Sequence, residues 1–157
     1  MDEAEKLREA AYFLGRMREA QAERSEAVFR FELSAFLSAG RSVLQYACEE
    51  AKRAGQQQWY QQAVVSDPCI PFLKEERDAN IHDRPVAPMT VDSVSSSAFG
   101  GPPETATEYF LLDWPGVEGA VSLAERYLAA LERIVSDGLA KGVLTTDSPV
   151  RRPRSAG

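Results

Sequence analysis

The chain holds a single histidine, and it closes a run of groups able to move protons and bind anions: Arg77, Asp78, Ala79, Asn80, Ile81, His82. An imidazole with an ordinary pKa near ~6.5 can give or take a proton at neutral pH. An arginine five residues earlier offers a permanent cation whose planar fork suits phosphate oxygens. On residue type and spacing alone, His82 and Arg77 are candidates for proton transfer and anion binding at a site. Asp78 could orient either one, and Asn80 has the helix-end preference of its type. Lys74 and Arg84 flank the run as anchors for neighbouring phosphates. Plainer readings stand beside these. A histidine at a helix terminus suits the negative end of the dipole, and charged residues next to a loop are mostly solvated. Positions five apart also lie ~140° apart on an ideal helix, so Arg77 and His82 converge only where the helix unwinds near its end.

The elements that would carry this run are mostly helical. Residues 2–22 repeat apolar side chains at helical spacing (Leu7, Ala10, Leu14, Met17), with Asp2 and Glu3 at the positive end of the dipole. Ser25 then offers an N-cap for a long second helix with a broad stripe through Phe29, Leu33, Phe36, Val43 and Ala47. A second stripe of small residues, Ala35, Ser38, Ala39 and Ser42, would admit a neighbouring helix, and Gly55 is a natural stop. Arg41 and Gln45 on this helix could reach a groove, though a solvated or inter-helix role is the simpler one. A short helical segment follows at "QQQWYQQAVV". Asp67 as cap and Pro68 at the first turn start a further helix, which must stop near His82 or Asp83 because Arg84 precedes Pro85.

From 83 to 104 the helical period gives way to Pro, Gly and Ser. "VAPMTVDSV" and "TATEYFLLDW" could pair as a hairpin across a long loop. The last helix is expected from Pro115 to Gly142, striped by Val121, Tyr127, Leu128, Leu131 and Val135. The expectation is an all-α, up-and-down bundle of four main helices with an irregular, hairpin-like insertion before the last. One domain would span 1–145, with a mobile tail over 146–157.

At 157 residues the chain is one ordinary domain, and 44% hydrophobic with 27% charged residues is a globular composition. Two cysteines and one histidine are too few for a structural zinc site, which needs about four ligands. No metal and no cofactor is therefore expected. No apolar run approaches the ~20 residues that cross a bilayer. The N-terminus lacks a signal-peptide core, so a cytoplasmic protein with no membrane partner is expected. A net charge of −6 argues against broad, non-specific nucleic-acid binding but leaves room for a local basic cleft.

In this setting the Arg77–Asp78–Ala79–Asn80–Ile81–His82 run resembles the signature of the HEPN family: an arginine, a polar residue, a few positions, then histidine. The segment "FRFELSAFLSAGRSVLQYA" is similar to the long second helix of a bacterial branch, and the resemblance extends from about residue 10 to 140. It implies a helical bundle that forms a homodimer with the Arg/His motifs facing one another. It also implies a metal-independent endoribonuclease, often a toxin whose antitoxin is a nucleotidyltransferase. Other members are non-catalytic RNA-binding or interaction modules. With one histidine per chain, an acid–base pair would need His82 from each of two protomers.

Overall fold

A computed structural model describes residues 2–82, 87–96 and 98–146; for 80–82 it describes the backbone only. The elements run α1 (Glu3–Ala22), α2 (Glu26–Arg53), α3 (Gln57–Val64), α4 (Cys69–His82), β1 (Met89–Ser95), β2 (Glu104–Phe110) and α5 (Ala120–Ala140). The described residues form five helices and one two-stranded antiparallel sheet, so the fold is mainly helical rather than purely α. The tail expected over 146–157 lies, apart from its first residue, outside the described residues. Among the described residues no helix is long and apolar enough to cross a membrane.

Local chemistry sets the helix ends. The Asp2 carboxylate accepts from the Glu5 N–H at 2.8 Å and opens α1. α2 closes at Gly55 (φ 67°), where the Gln56 N–H reaches back to the Ala51 carbonyl at 2.7 Å. Gly142 (φ 67°) ends α5 in the same way, with Val143 N–H on the Gly138 carbonyl at 2.8 Å. α1 stops on this pattern without a glycine. Arg24 takes the left-handed position (φ 56°), which costs a side-chain-bearing residue about 1–2 kcal/mol. Its guanidinium recovers part of that by donating to the Thr105 carbonyl of β2.

α2 is central and packs against α1, α3, α4 and α5. Its buried stripe of Phe29, Leu33, Phe36, Leu37, Val43, Leu44 and Ala47 meets Ala10, Leu14 and Met17 of α1 and Leu123, Tyr127 and Leu131 of α5. A close approach occurs at Gly40, within the Ala35–Ser42 stretch of small residues. A Cβ on Gly40 would lie 2.5 Å from Tyr127 Cε1, so the ring of α5 lies directly over the α2 backbone. α5 itself begins at Ala120, about five residues later than expected from Pro115, because the Trp114 indole donates to Glu118 Oε2 at 2.8 Å and holds the preceding turn.

The hairpin expected from the two short apolar runs is present, with Met89 opposite Phe110 and Ser95 opposite Glu104. It is anchored on one side only. Tyr109 is buried with its ring 4.3 Å from that of Phe29, and its N–H donates to Gln21 Oε1 at 3.2 Å. Gln21 and Arg24 thereby cover the outer edge of β2. All seven residues of β1 are exposed.

Gly40→Val should lower stability by about 2 kcal/mol through overpacking against Tyr127. Gly15→Ala in α1, where an added Cβ meets nothing within 4 Å, should raise stability by up to about 1 kcal/mol through helix propensity. Urea unfolding followed by circular dichroism reads both.

Candidate functional site

α4 carries the Arg77–His82 run, and its N-terminus is fixed first. Asp67 caps it, accepting the Cys69 N–H at 2.9 Å. The same carboxylate is gripped by Arg126 of α5 through two oxygens, Nε to Oδ2 at 3.1 Å and Nη2 to Oδ1 at 2.9 Å. Arg133 approaches Oδ2 at 3.8 Å. Arg126 also donates to Glu118 Oε1 at 2.8 Å and lies 5.6 Å from the centroid of Trp114, whose ring in turn packs 5.0 Å from Phe72 of α4. α4 is therefore clamped to α5 and to the turn before it.

Two ionisable groups record this environment. Burial alone would raise the Asp67 carboxyl, but the Arg126 hydrogen bonds and the Cys69 N–H outweigh it and hold the group at about 2, below its ordinary 3.8. Burial, reinforced by the neighbouring Asp67 carboxylate, pushes the Cys69 thiol up to about 12. It stays a thiol at neutral pH and is a poor nucleophile. Both cysteines are free; Cys69 is buried and Cys48 half-buried.

Further along α4, Arg77 Nη1 donates to Asp78 Oδ1 at 3.1 Å. The sequence allows Arg41 a groove, solvated or inter-helix role, and the inter-helix one is observed: its Nε lies 4.0 Å from the same oxygen. Arg41 of α2 and Arg77 of α4 therefore converge on one carboxylate. Their side chains are 26% and 28% exposed, whereas Asp78 is 45% exposed. Both Nε–H groups are shielded from water and have no hydrogen-bond acceptor among the described residues. Lys74 is half-buried, one helical turn before Asp78. Gln45 does not join the group; its amide donates to Glu49 on its own helix at 3.4 Å.

His82 is the last residue of α4, which remains helical up to it. The unwinding that would bring Arg77 and His82 together has not begun at that point, and the ~140° separation of their backbone positions holds. Asp78, four residues earlier, shares the helical row of His82 instead. The Asn80 and His82 side chains, and all of Arg84, lie outside the described residues. Among the described residues no three His, Cys, Asp or Glu side chains cluster as a metal ion would require. Compared with the models of known protein families, with curated proteins and with solved structures, the chain matches none.

Because the folded pKa of Asp67 lies below its ordinary value, its contribution is complete above about pH 4 and fades as pH falls toward 2. Asp67→Asn should remove that acid-sensitive component, on the order of 1 kcal/mol after solvent screening. Stability measured by urea unfolding between pH 2 and 6 should fall less steeply in the variant than in the parent.

Proposed function

We propose that the protein is a HEPN-like, metal-independent endoribonuclease, built as an up-and-down bundle of α1, α2, α4 and α5 and acting in the cytoplasm as a homodimer. The observation that carries this reading is the Arg77–Asp78 pair on α4, on a helix that ends at His82 and is fixed at its other end by the Asp67–Arg126 grip. In the composite site, His82 of one protomer takes the 2′-OH proton. The partner subunit's His82 protonates the departing 5′-oxygen. Arg77 offsets the charge that accumulates on the phosphate as the 2′-oxygen attacks and the bond to the 5′-oxygen breaks. The products are a 2′,3′-cyclic phosphate and a free 5′-hydroxyl. Asp78 sets the Arg77 guanidinium, Asn80 supports the end of the helix, and Lys74 and Arg84 hold flanking phosphates. A toxin role beside a nucleotidyltransferase antitoxin belongs to the same proposal.

A second reading has its own support. Asp78 already engages Arg77, and the net charge of −6 repels a polyanion. The alternative is a non-catalytic RNA-binding or protein-interaction module on the same scaffold; the occupied Arg77 favours loss of catalysis, and the net charge favours a protein partner over RNA.

Incubation of purified protein with single-stranded RNA in the presence of chelator separates the two. The enzyme reading expects cleavage to cyclic-phosphate ends. His82→Ala should lower the rate by a factor of about 10²–10⁴, and Arg77→Ala by a comparable factor. Unchanged cleavage in His82→Ala would end that reading. An inert parent that still binds RNA or a protein partner would establish the module.

A further inference from the structure

We infer that Arg41 and Arg77 together form a phosphate-binding cradle, with Asp78 as its displaceable internal counter-ion. The charges do not balance: two guanidinium groups against one carboxylate leave +2 − 1 = +1 at a place where α2 and α4 meet. The geometry is equally incomplete. Arg77 bonds Asp78 through Nη1 alone, and Arg41 stands 4.0 Å from Oδ1, too far for a hydrogen bond. Two Nε–H donors are left out of water without an acceptor among the described residues, a condition that protein interiors rarely tolerate. A tetrahedral oxyanion has more acceptor sites and more charge than one carboxylate, and can engage both forks at once.

The arrangement also permits exchange. Asp78 is the most exposed of the three and sits on the outer side of the cluster, so its side chain can turn into solvent as an anion enters. Each arginine is about three-quarters buried, which reduces screening of its charge and strengthens attraction for the incoming group. They come from separate helices, so α2–α4 packing rather than a loop sets their spacing. Lys74, one turn away on α4, extends the positive row toward a neighbouring phosphate. A structural ion triad of the same composition would instead place a donor of each arginine within hydrogen-bond distance of the carboxylate.

The ligand chemistry is a phosphate group, either the diester of an RNA strand or free phosphate. The choice of RNA rests on the proposed function, whereas the cradle itself does not. Its test is fluorescence anisotropy with a fluorescein-labelled, single-stranded RNA, titrated over a range of salt concentrations, with inorganic phosphate as competitor. Arg41→Gln should weaken binding about tenfold and reduce the slope of log K against log salt by ~0.7, one lost phosphate contact. Asp78→Asn should tighten binding several-fold. Arg41→Lys should keep the slope while losing affinity. Arg53→Gln, at an exposed helix-end pair with Glu49, should change neither. Displacement by millimolar inorganic phosphate assigns the cradle to free phosphate, and resistance to it assigns the cradle to the RNA diester.

Equal affinity and slope in parent and Arg41→Gln, both folded by circular dichroism, would overturn the cradle, as would a parent that binds neither RNA nor phosphate. His82→Ala keeps the two proposals apart. Its cleavage rate bears on the ribonuclease reading, whereas the affinity and salt slope of Arg41→Gln bear on the cradle.

Discussion

The missing side chain at Gly40 is the constraint on which the arrangement of α2, α4 and α5 rests. It lets the Tyr127 ring lie against the α2 backbone, with Phe36 edge-on to that ring at 5.9 Å. Arg41 is the next residue, so the contact that seats α5 also fixes the rotation of α2 that brings Arg41 toward α4. Burial drives the Tyr127 phenol upward, and the Asp78 carboxylate adds to that while the Arg41 guanidinium opposes it. The phenol therefore stays neutral at physiological pH, at the boundary between the apolar core and the polar cluster on α4.

A second constraint works at the other end of α4. An exposed ion pair contributes little to stability, but the Asp67 carboxylate is only 14% exposed and is held by two parallel bonds from Arg126. It performs two tasks at once, capping one helix and binding another. Glu118 and the Trp114 ring complete the surroundings of Arg126, and Phe72 packs on the same indole. This network has no catalytic geometry of its own. Its role is positional: the N-terminus of α4 cannot slide against α5 while the later turns present Arg77 and Asp78 to α2.

Much of this was legible where a residue type dictates backbone conformation. Gly55, Asp67 and Pro85 mark the helix limits in one dimension, and the alternation in the two short runs gives the hairpin. The end of α1 was less visible, because Arg24 occupies a left-handed position with the support of a carbonyl 81 residues away at Thr105. The late start of α5 was hidden for a similar reason: Trp114, Glu118 and Arg126 hold that turn through tertiary contacts. At the site, the Arg77–His82 run could be found by its spacing. Arg41 was visible only as a groove-facing or inter-helix candidate; its meeting with Asp78 was not, since only the packing of α2 on α4 brings residues 41 and 78 together. Gly40 was the available signal, a glycine in mid-helix beside an arginine.

The one-sided anchoring of the hairpin gives its backbone amides two populations. Tyr109 N–H and the Thr105 carbonyl point toward α1 and its following turn, so their neighbours in β2, residues 104, 106, 108 and 110, point toward β1. The partners of those residues, Met89, Val91, Ser93 and Ser95, are bonded within the sheet. Thr90, Asp92 and Val94 turn their N–H groups outward from a fully exposed strand. Hydrogen exchange along β1 thus has a period of two: slow at odd-numbered positions and near the rate of an open chain at even ones. That alternation is a signature of the register itself, readable without reference to any side chain.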